Sequence, residues 1–281
     1  MRHACGMIRS FREGDFVRFL ELAHGERWSC GRAELAAFLA ADPEGCLVFE
    51  QQARAVGFVM AYPHERSAWI GNFIVEPARR GLGLGTRLLE AVLEHLDALV
   101  PTVYLNAAPD ATGLYRQHGF RALDSVSRWQ LRSSNAGVVP ARGDEHLAGL
   151  LALDERCWSD RRDRLLRTLI EGRDLLHDER SGSYLALARL TDHVAIGPFE
   201  MTDPSPAAAR RLLRRALGAA RAIANDAPIL IDVPDACSAA SRAVRGLGGT
   251  CISRTTCMRR GAPVPIDFTR IGSFASLGSK G

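Results

Sequence analysis

The sequence predicts a mixed α/β fold, a mostly antiparallel sheet flanked by helices, in two domains spanning residues 1–133 and 138–281. Three observations predict it. Closely spaced strand-like runs alternate with segments of helical apolar spacing. A small, polar segment, Ser133-Ser134-Asn135-Ala136-Gly137, interrupts the chain as a linker does. The order of elements before that segment returns, more loosely, after it. A chain of 281 residues has room for two domains of ordinary size, and 47% apolar with 24% charged residues is an ordinary soluble composition.

The elements follow in order. Residues 7–11 read as a short strand, and residues 16–23 and 32–40 as helices. Asp42-Pro43-Glu44-Gly45 is turn chemistry. Strands at 46–50, 55–62 and 68–75 are joined by connections short enough for an antiparallel meander. A glycine-rich turn comes next, then a helix over 86–99 with a leucine and valine stripe, a strand at 102–106, a helix over 110–117 and a closing strand at 121–131. Beyond the linker, helices are expected at 145–157 and 161–172, with strands at 183–190 and 193–200. A long helix over 206–224, a strand at 228–233, a helix over 236–246 and a strand at 250–258 complete the chain. Pro109-Asp110-Ala111 and Pro234-Asp235-Ala236 each follow a strand and open a helix, an echo of internal duplication.

Charge and cysteine content narrow the function classes. The net charge of +4 is too mild to argue for nucleic acid, though it suits an anionic cofactor. Lys280 is the only lysine, so the positive charge is almost all arginine, a pattern that reads first as coding bias. Seven scattered cysteines without a C-x-x-C pair fit reduced, buried thiols better than disulfides or zinc. The histidines show no metal-ligand spacing, and Cys157-Trp158 reads as core rather than nucleophile. Without an export signal or an apolar run of about 18 residues, a cytoplasmic protein is expected, with no metal, no nucleic-acid partner and no membrane partner.

The chemistry concentrates at Glu76-Pro77-Ala78-Arg79-Arg80-Gly81-Leu82-Gly83-Leu84-Gly85. Alternate glycines let the backbone approach a ligand closely, in conformations other residues avoid. Amides from Arg80 to Thr86 can converge on a pyrophosphate, helped by the unpaired N–H groups of the following helix. Arg79 and Arg80 supply charge for the outer phosphates. A Walker loop is excluded because no lysine follows, and a dinucleotide fingerprint because Thr86 stands at its third glycine. Glu76 reads as a solvated turn residue.

V-x-P-x-x-R-G-x-G-x-G between an apolar strand and an amphipathic helix resembles motif A of the GNAT superfamily of N-acetyltransferases. Leu105-Asn106 followed by Leu114-Tyr115-Arg116-Gln117-His118-Gly119-Phe120 resembles the family's motif B. The resemblance covers roughly residues 7–132 and implies a sheet splayed between its fourth and fifth strands to admit the pantetheine arm of acetyl-CoA. It implies that backbone groups of Phe73, Ile74 and Val75 pair with that arm, and that a main-chain N–H there stabilises the oxyanion. Asn106 would hydrogen-bond the cofactor, and Tyr115 would protonate the departing thiolate. The phenol's ordinary pKa near 10 suits that role, because it keeps the proton at pH 7. Family members often carry a carboxylate early in the fourth strand, but this strand begins Ser67-Ala68-Trp69-Ile70-Gly71-Asn72. The general base stays open between water relayed by Asn72 or backbone carbonyls and an acid from the second half.

The second half carries Met201-Thr202-Asp203-Pro204-Ser205-Pro206 where a second turn would fall, with no glycine run and no tyrosine matching Tyr115. Both halves together resemble a tandem-GNAT group with a degenerate C-terminal domain. The similarity lies in Asp160 to Leu166, Ile196-Gly197-Pro198, Ile231 to Pro234 and Gly272 to Gly278. The implied role of this domain is to wall the acceptor site. Asp160, Asp163 and Asp232 are candidate amine contacts, with helix caps and ion pairs the alternative, and Arg210, Arg211, Arg214 and Arg215 read as a solvated helix face. The expected activity is acetyl transfer from acetyl-CoA to a primary amine of a small metabolite, with a homodimer as one assembly the sequence leaves open. An acetyl-CoA-binding regulatory module without transfer activity is the alternative.

Overall fold

The computed structural model describes residues 6–28, 30–132, 146–171, 173–190, 192–224 and 227–275. The expected linker at 133–137 lies outside them. The first half opens with β1 (Gly6–Ser10), α1 (Asp15–Gly25) and α2 (Arg32–Ala41). β2 (Leu47–Gln51), β3 (Arg54–Pro63) and β4 (Ser67–Val75) form the antiparallel meander. α3 (Leu84–Asp97) starts at Leu84 rather than Thr86, because Gly83 caps it in the left-handed conformation and Leu84 turns inward. It buries Leu84, Leu88, Leu89, Val92, Leu93 and Leu96 on one stripe, each worth about 1.5–3 kcal/mol of transfer from water. β5 (Thr102–Ala107), α4 (Thr112–Gln117) and β6 (Arg121–Leu131) complete this half.

The second half contains α5 (Leu147–Trp158), α6 (Asp163–Ile170), β7 (Asp174–Asp178), β8 (Ser183–Arg189) and β9 (Val194–Glu200). α7 (Pro206–Ile223), β10 (Ile229–Pro234), α8 (Ser238–Gly246), β11 (Thr250–Gly261) and β12 (Ile271–Ser273) follow. Two of these strands escape the sequence reading. β7 is short and flanked by acids, both buried here, with Asp178 satisfied by Ser181 and Arg211. β12 is only three residues long. With β7 counted, α1 to β6 and α5 to β11 run through the same succession of helices and strands.

The twelve strands among the described residues belong to one sheet, ordered β1-β2-β3-β4-β5-β11-β6-β10-β9-β8-β7, with β12 pairing β9. β6 and β11 lie antiparallel at its centre, Ser127 opposite Arg254. Each also pairs with the strand that precedes the closing strand of the opposite half, β11 with β5 and β6 with β10. The halves therefore exchange their closing strands about a pseudo-twofold axis.

Two apolar layers cover the first half. Ala68 and Ile70 of β4 pack towards α3, while Phe58, Met60, Tyr62 and Ile74 face α1 and α2. Leu165 and Leu169 of α6, with Ala275, complete the second layer, so the second half roofs that face. The β3–β4 hairpin is tied to the same roof. Asp160 accepts the Arg66 amide at 2.9 Å and the Ser67 hydroxyl at 2.6 Å.

Candidate active site

β4 and β5 run parallel and pair at Ser67–Thr102, Ala68–Val103 and Trp69–Tyr104. Their register ends there, and among the described residues no strand occupies the gap beyond. A bulge in β4 shapes its rim, because Ile74 pairs with Phe58 while Gly71 pairs with Met60, one residue too many on β4. Asn72 takes up that extra residue at φ 50°, buried, with its amide 3.7 Å from the Met60 sulfur. The bulge reverses the alternation of side chains, so Phe73 and Val75 join Ala68 and Ile70 on the α3 face and Ile74 points to the other.

The glycine-rich turn follows. Gly81 and Gly83 adopt φ of 75° and 79°, where an L side chain costs about 1–2 kcal/mol, and a Cβ on either would meet nothing within 4 Å. Conformation and open space, rather than packing against the protein, call for glycine at both. Among the described residues no protein acceptor receives any amide from Gly81 to Thr86, and α3 has no side-chain cap. Six consecutive donors at a helix N-terminus suit a pyrophosphate. Gly85 sits in the first turn of α3, where a Cβ would lie 3.8 Å from Phe73, Val75 and Leu114. Leu84 anchors the turn in the core, and Leu82 is 59% exposed.

The two arginines behave differently. Arg80 donates from Nε to the Val75 carbonyl at 3.0 Å and pairs with Glu26, which fixes the turn to the end of β4. Arg79 is half-buried and has no side-chain partner among the described residues. Glu76 departs from the expected solvated residue: its carboxylate accepts from Arg18 at 2.6 Å and Arg54 at 2.8 Å. The turn is thus braced on α1 and β3, contacts too distant in sequence for a local reading to find.

Tyr115 closes the gap from the α4 side, its ring 6.2 Å from Phe73 and 5.8 Å from Phe120. It is 6% exposed, and its hydroxyl makes no hydrogen bond among the described residues. Burial, with Asp110 nearby, pushes the phenol pKa up, so the proton is held more firmly than in water. Asn106 lies half-buried on β5, opposite Cys257 of β11. The structure therefore gathers Phe73, Val75, the turn and Tyr115 around one gap.

The second half repeats this geometry and fills it. β9 and β10 pair over Val194–Ile229 to Ile196–Ile231 and then diverge. β12 enters between them: Ile271 pairs with Glu200, the Phe274 amide donates to Asp232 at 3.0 Å, and the Ser273 hydroxyl donates to Ile196 at 2.9 Å. The fit leaves no slack, since a Cβ on Gly197 would lie 2.0 Å from the Phe274 carbonyl oxygen. The corresponding turn is also used up. The Met201 amide donates to Arg270 at 2.9 Å, Ser205 caps the Ala208 amide at 3.2 Å, and Pro206 has no N–H.

The aspartates considered as amine contacts serve structural roles where their partners are seen. Asp160 holds the β3–β4 hairpin, and Asp232 makes a bidentate pair with Arg128 at 2.7 and 2.8 Å. Asp163 opens α6, 3.6 Å from Arg161. Cys157 and Trp158 are core residues, as expected.

Two family models match the chain: the acetyltransferase (GNAT) family over residues 13–120 and an acetyltransferase (GNAT) domain over 150–271. No curated protein matches it in sequence. Among solved structures, a proposed acetyltransferase from Pyrococcus horikoshii is similar with a TM-score of 0.83, at 20% identity over 98% of this chain and 95% of that one. A GCN5-related N-acetyltransferase from Sphaerobacter thermophilus aligns with a TM-score of 0.65, at 16% identity over 94% of this chain and 98% of its own. A tandem GNAT protein from the clavulanic acid biosynthesis pathway gives 0.67, at 13% identity over 92% and 100%. With both halves matched and the splayed gap and its turn in place, the chain belongs to the GNAT acetyltransferases as a tandem member.

Proposed function

We propose that the first half transfers acetyl from acetyl-CoA to a primary amine of a small molecule, while the second half covers the acceptor side. The observation that carries this reading is the run of six acceptor-free amides beside an open strand gap. Acetyl-CoA, when bound, supplies the activated acyl group. The amides from Gly81 to Thr86 and the Arg79 guanidinium hold its phosphates, and the free edges of Phe73, Ile74 and Val75 align its arm. Asn106 binds it from the β5 side. The Tyr115 hydroxyl gives a proton to the leaving sulfur, and burial keeps that proton in place at neutral pH.

The cover over Phe58, Met60, Tyr62 and Ile74 by α6 and Ala275 supports a small acceptor, since it leaves little room there for an extended polypeptide. Binding both reactants in one site converts their encounter into an effectively unimolecular step. The amine attacks in its neutral form, so kcat/KM should rise with pH as the amine itself deprotonates. Tyr115→Phe should lower kcat by roughly 10²–10⁴-fold with little change in acetyl-CoA Kd, the usual span for a lost proton donor. Unchanged turnover would remove Tyr115 from the chemistry. Acetyl-CoA binding without CoA release across a broad amine panel would favour the regulatory module.

A further inference from the structure

α7 and α8 of the second half border a cleft of about 460 Å³, a volume within the range of small-molecule sites. Four arginines line it: Arg210, Arg211 and Arg214 from the first two turns of α7 and the turn after, and Arg242 from α8. Arg211 is neutralised by Asp178 at 3.0 Å. Arg215, next to this group in sequence, points elsewhere and donates to the His177 carbonyl at 2.7 Å. Arg210, Arg214 and Arg242 have no hydrogen-bond or ion-pair partner among the described residues. Arg210 and Arg214 stand four apart on one helix face, where like charges repel and slightly destabilise the helix. Two helices thus direct three uncompensated guanidinium groups into one cleft.

We propose that this cleft is a second anion site, which binds a small molecule carrying two or more linked phosphates. A lone carboxylate would neutralise one of the three charges, whereas linked phosphates offer several oxygens to planar guanidinium forks. The lining contains no aromatic side chain on which a base of single-stranded nucleic acid could stack, which favours a small anion over RNA. By the pseudo-twofold, α7 and α8 correspond to α3 and α4, and Pro206, the first residue of α7, lines the cleft. β12 closes the sheet gap behind it, and the ligand accordingly has no arm threaded between strands. Recognition rests on side chains here, in contrast to the backbone amides of the first half.

The test is calorimetric titration of full-length protein with inorganic pyrophosphate, ADP and a short single-stranded RNA. Carrying Gly83→Glu and Gly85→Glu in every sample removes the first-half turn from the reading. Saturable pyrophosphate or ADP binding is expected, weakened roughly tenfold or more by Arg210→Ala, Arg214→Ala and Arg242→Ala together, and weakened by added salt. Equal affinity for the two probes identifies a phosphate site, and tighter ADP binding a nucleotide site. No saturation by millimolar ligand, or equal affinity with and without the three arginines, overturns the proposal. So does RNA that binds more tightly than either probe through the same arginines. If the alanine set unfolds, the matching Arg→Lys set keeps the charge and removes the fork, and a severalfold loss is expected there too.

Discussion

At the scale of single residues, local chemistry explains most of the site. Gly81 and Gly83 are required by left-handed backbone, and their alternation with apolar residues was visible in the sequence. Tyr115 was visible for the same reason, since its motif is local. Arg80 pairing with Glu26, 54 positions away, was not, because no short-range pattern encodes it. Glu76 was misread for that reason as well: two arginines from other elements reach it. His64 supplies a residue-scale prediction. It is half-buried as a residue, yet its Nε2 is wholly enclosed and without a hydrogen-bond partner among the described residues. Desolvation, aided by the nearby Arg162 charge, holds its pKa well below 6.5. A histidine with a depressed folded pKa contributes stability that is present above its unfolded value and lost as pH falls. Between pH 6.5 and 5, the stability of the wild type should drop by up to about 1.4 kcal/mol per unit from this source. Urea melts of His64→Gln should show a correspondingly shallower slope, and an unchanged slope would exclude His64.

At the scale of elements, strand and helix order was legible because periodicity is local, and β6 was expected at the bounds it has. β7 was missed because its acidic ends mask a buried strand, and β12 because three residues carry no periodic signal. The β4 bulge likewise follows from pairing with β3 rather than from composition. One contact between elements has a measurable consequence. Asp160, 4% exposed in the connection between α5 and α6, satisfies both Arg66 and Ser67 at the start of β4. Asp160→Ala leaves those donors without an acceptor and should cost roughly 2–4 kcal/mol in equilibrium unfolding. A loss below about 0.5 kcal/mol would mean that the hairpin is held elsewhere.

At the scale of the molecule, the tandem arrangement was legible but the strand exchange was not. Element order reveals two copies, whereas the insertion of β11 between β5 and β6 depends on partners from opposite halves. The exchange makes the halves interdependent. A chain ending at residue 132 would lack β11 and leave the β5 edge unpaired, so it should not form a stable folded monomer. Sedimentation and circular dichroism check this, and a cooperative monomeric fold would contradict it. The exchange also accompanies a division between the halves: among the described residues one gap stays open beside acceptor-free amides, and its counterpart holds β12. The most direct test of that division is calorimetric titration with acetyl-CoA of the wild type beside Gly83→Glu, Gly85→Glu. Micromolar binding in the wild type, lost in the folded variant, is the predicted result. Equal affinity in both proteins, or no binding by the wild type, would contradict the assignment of the cofactor to the Arg80–Gly85 turn.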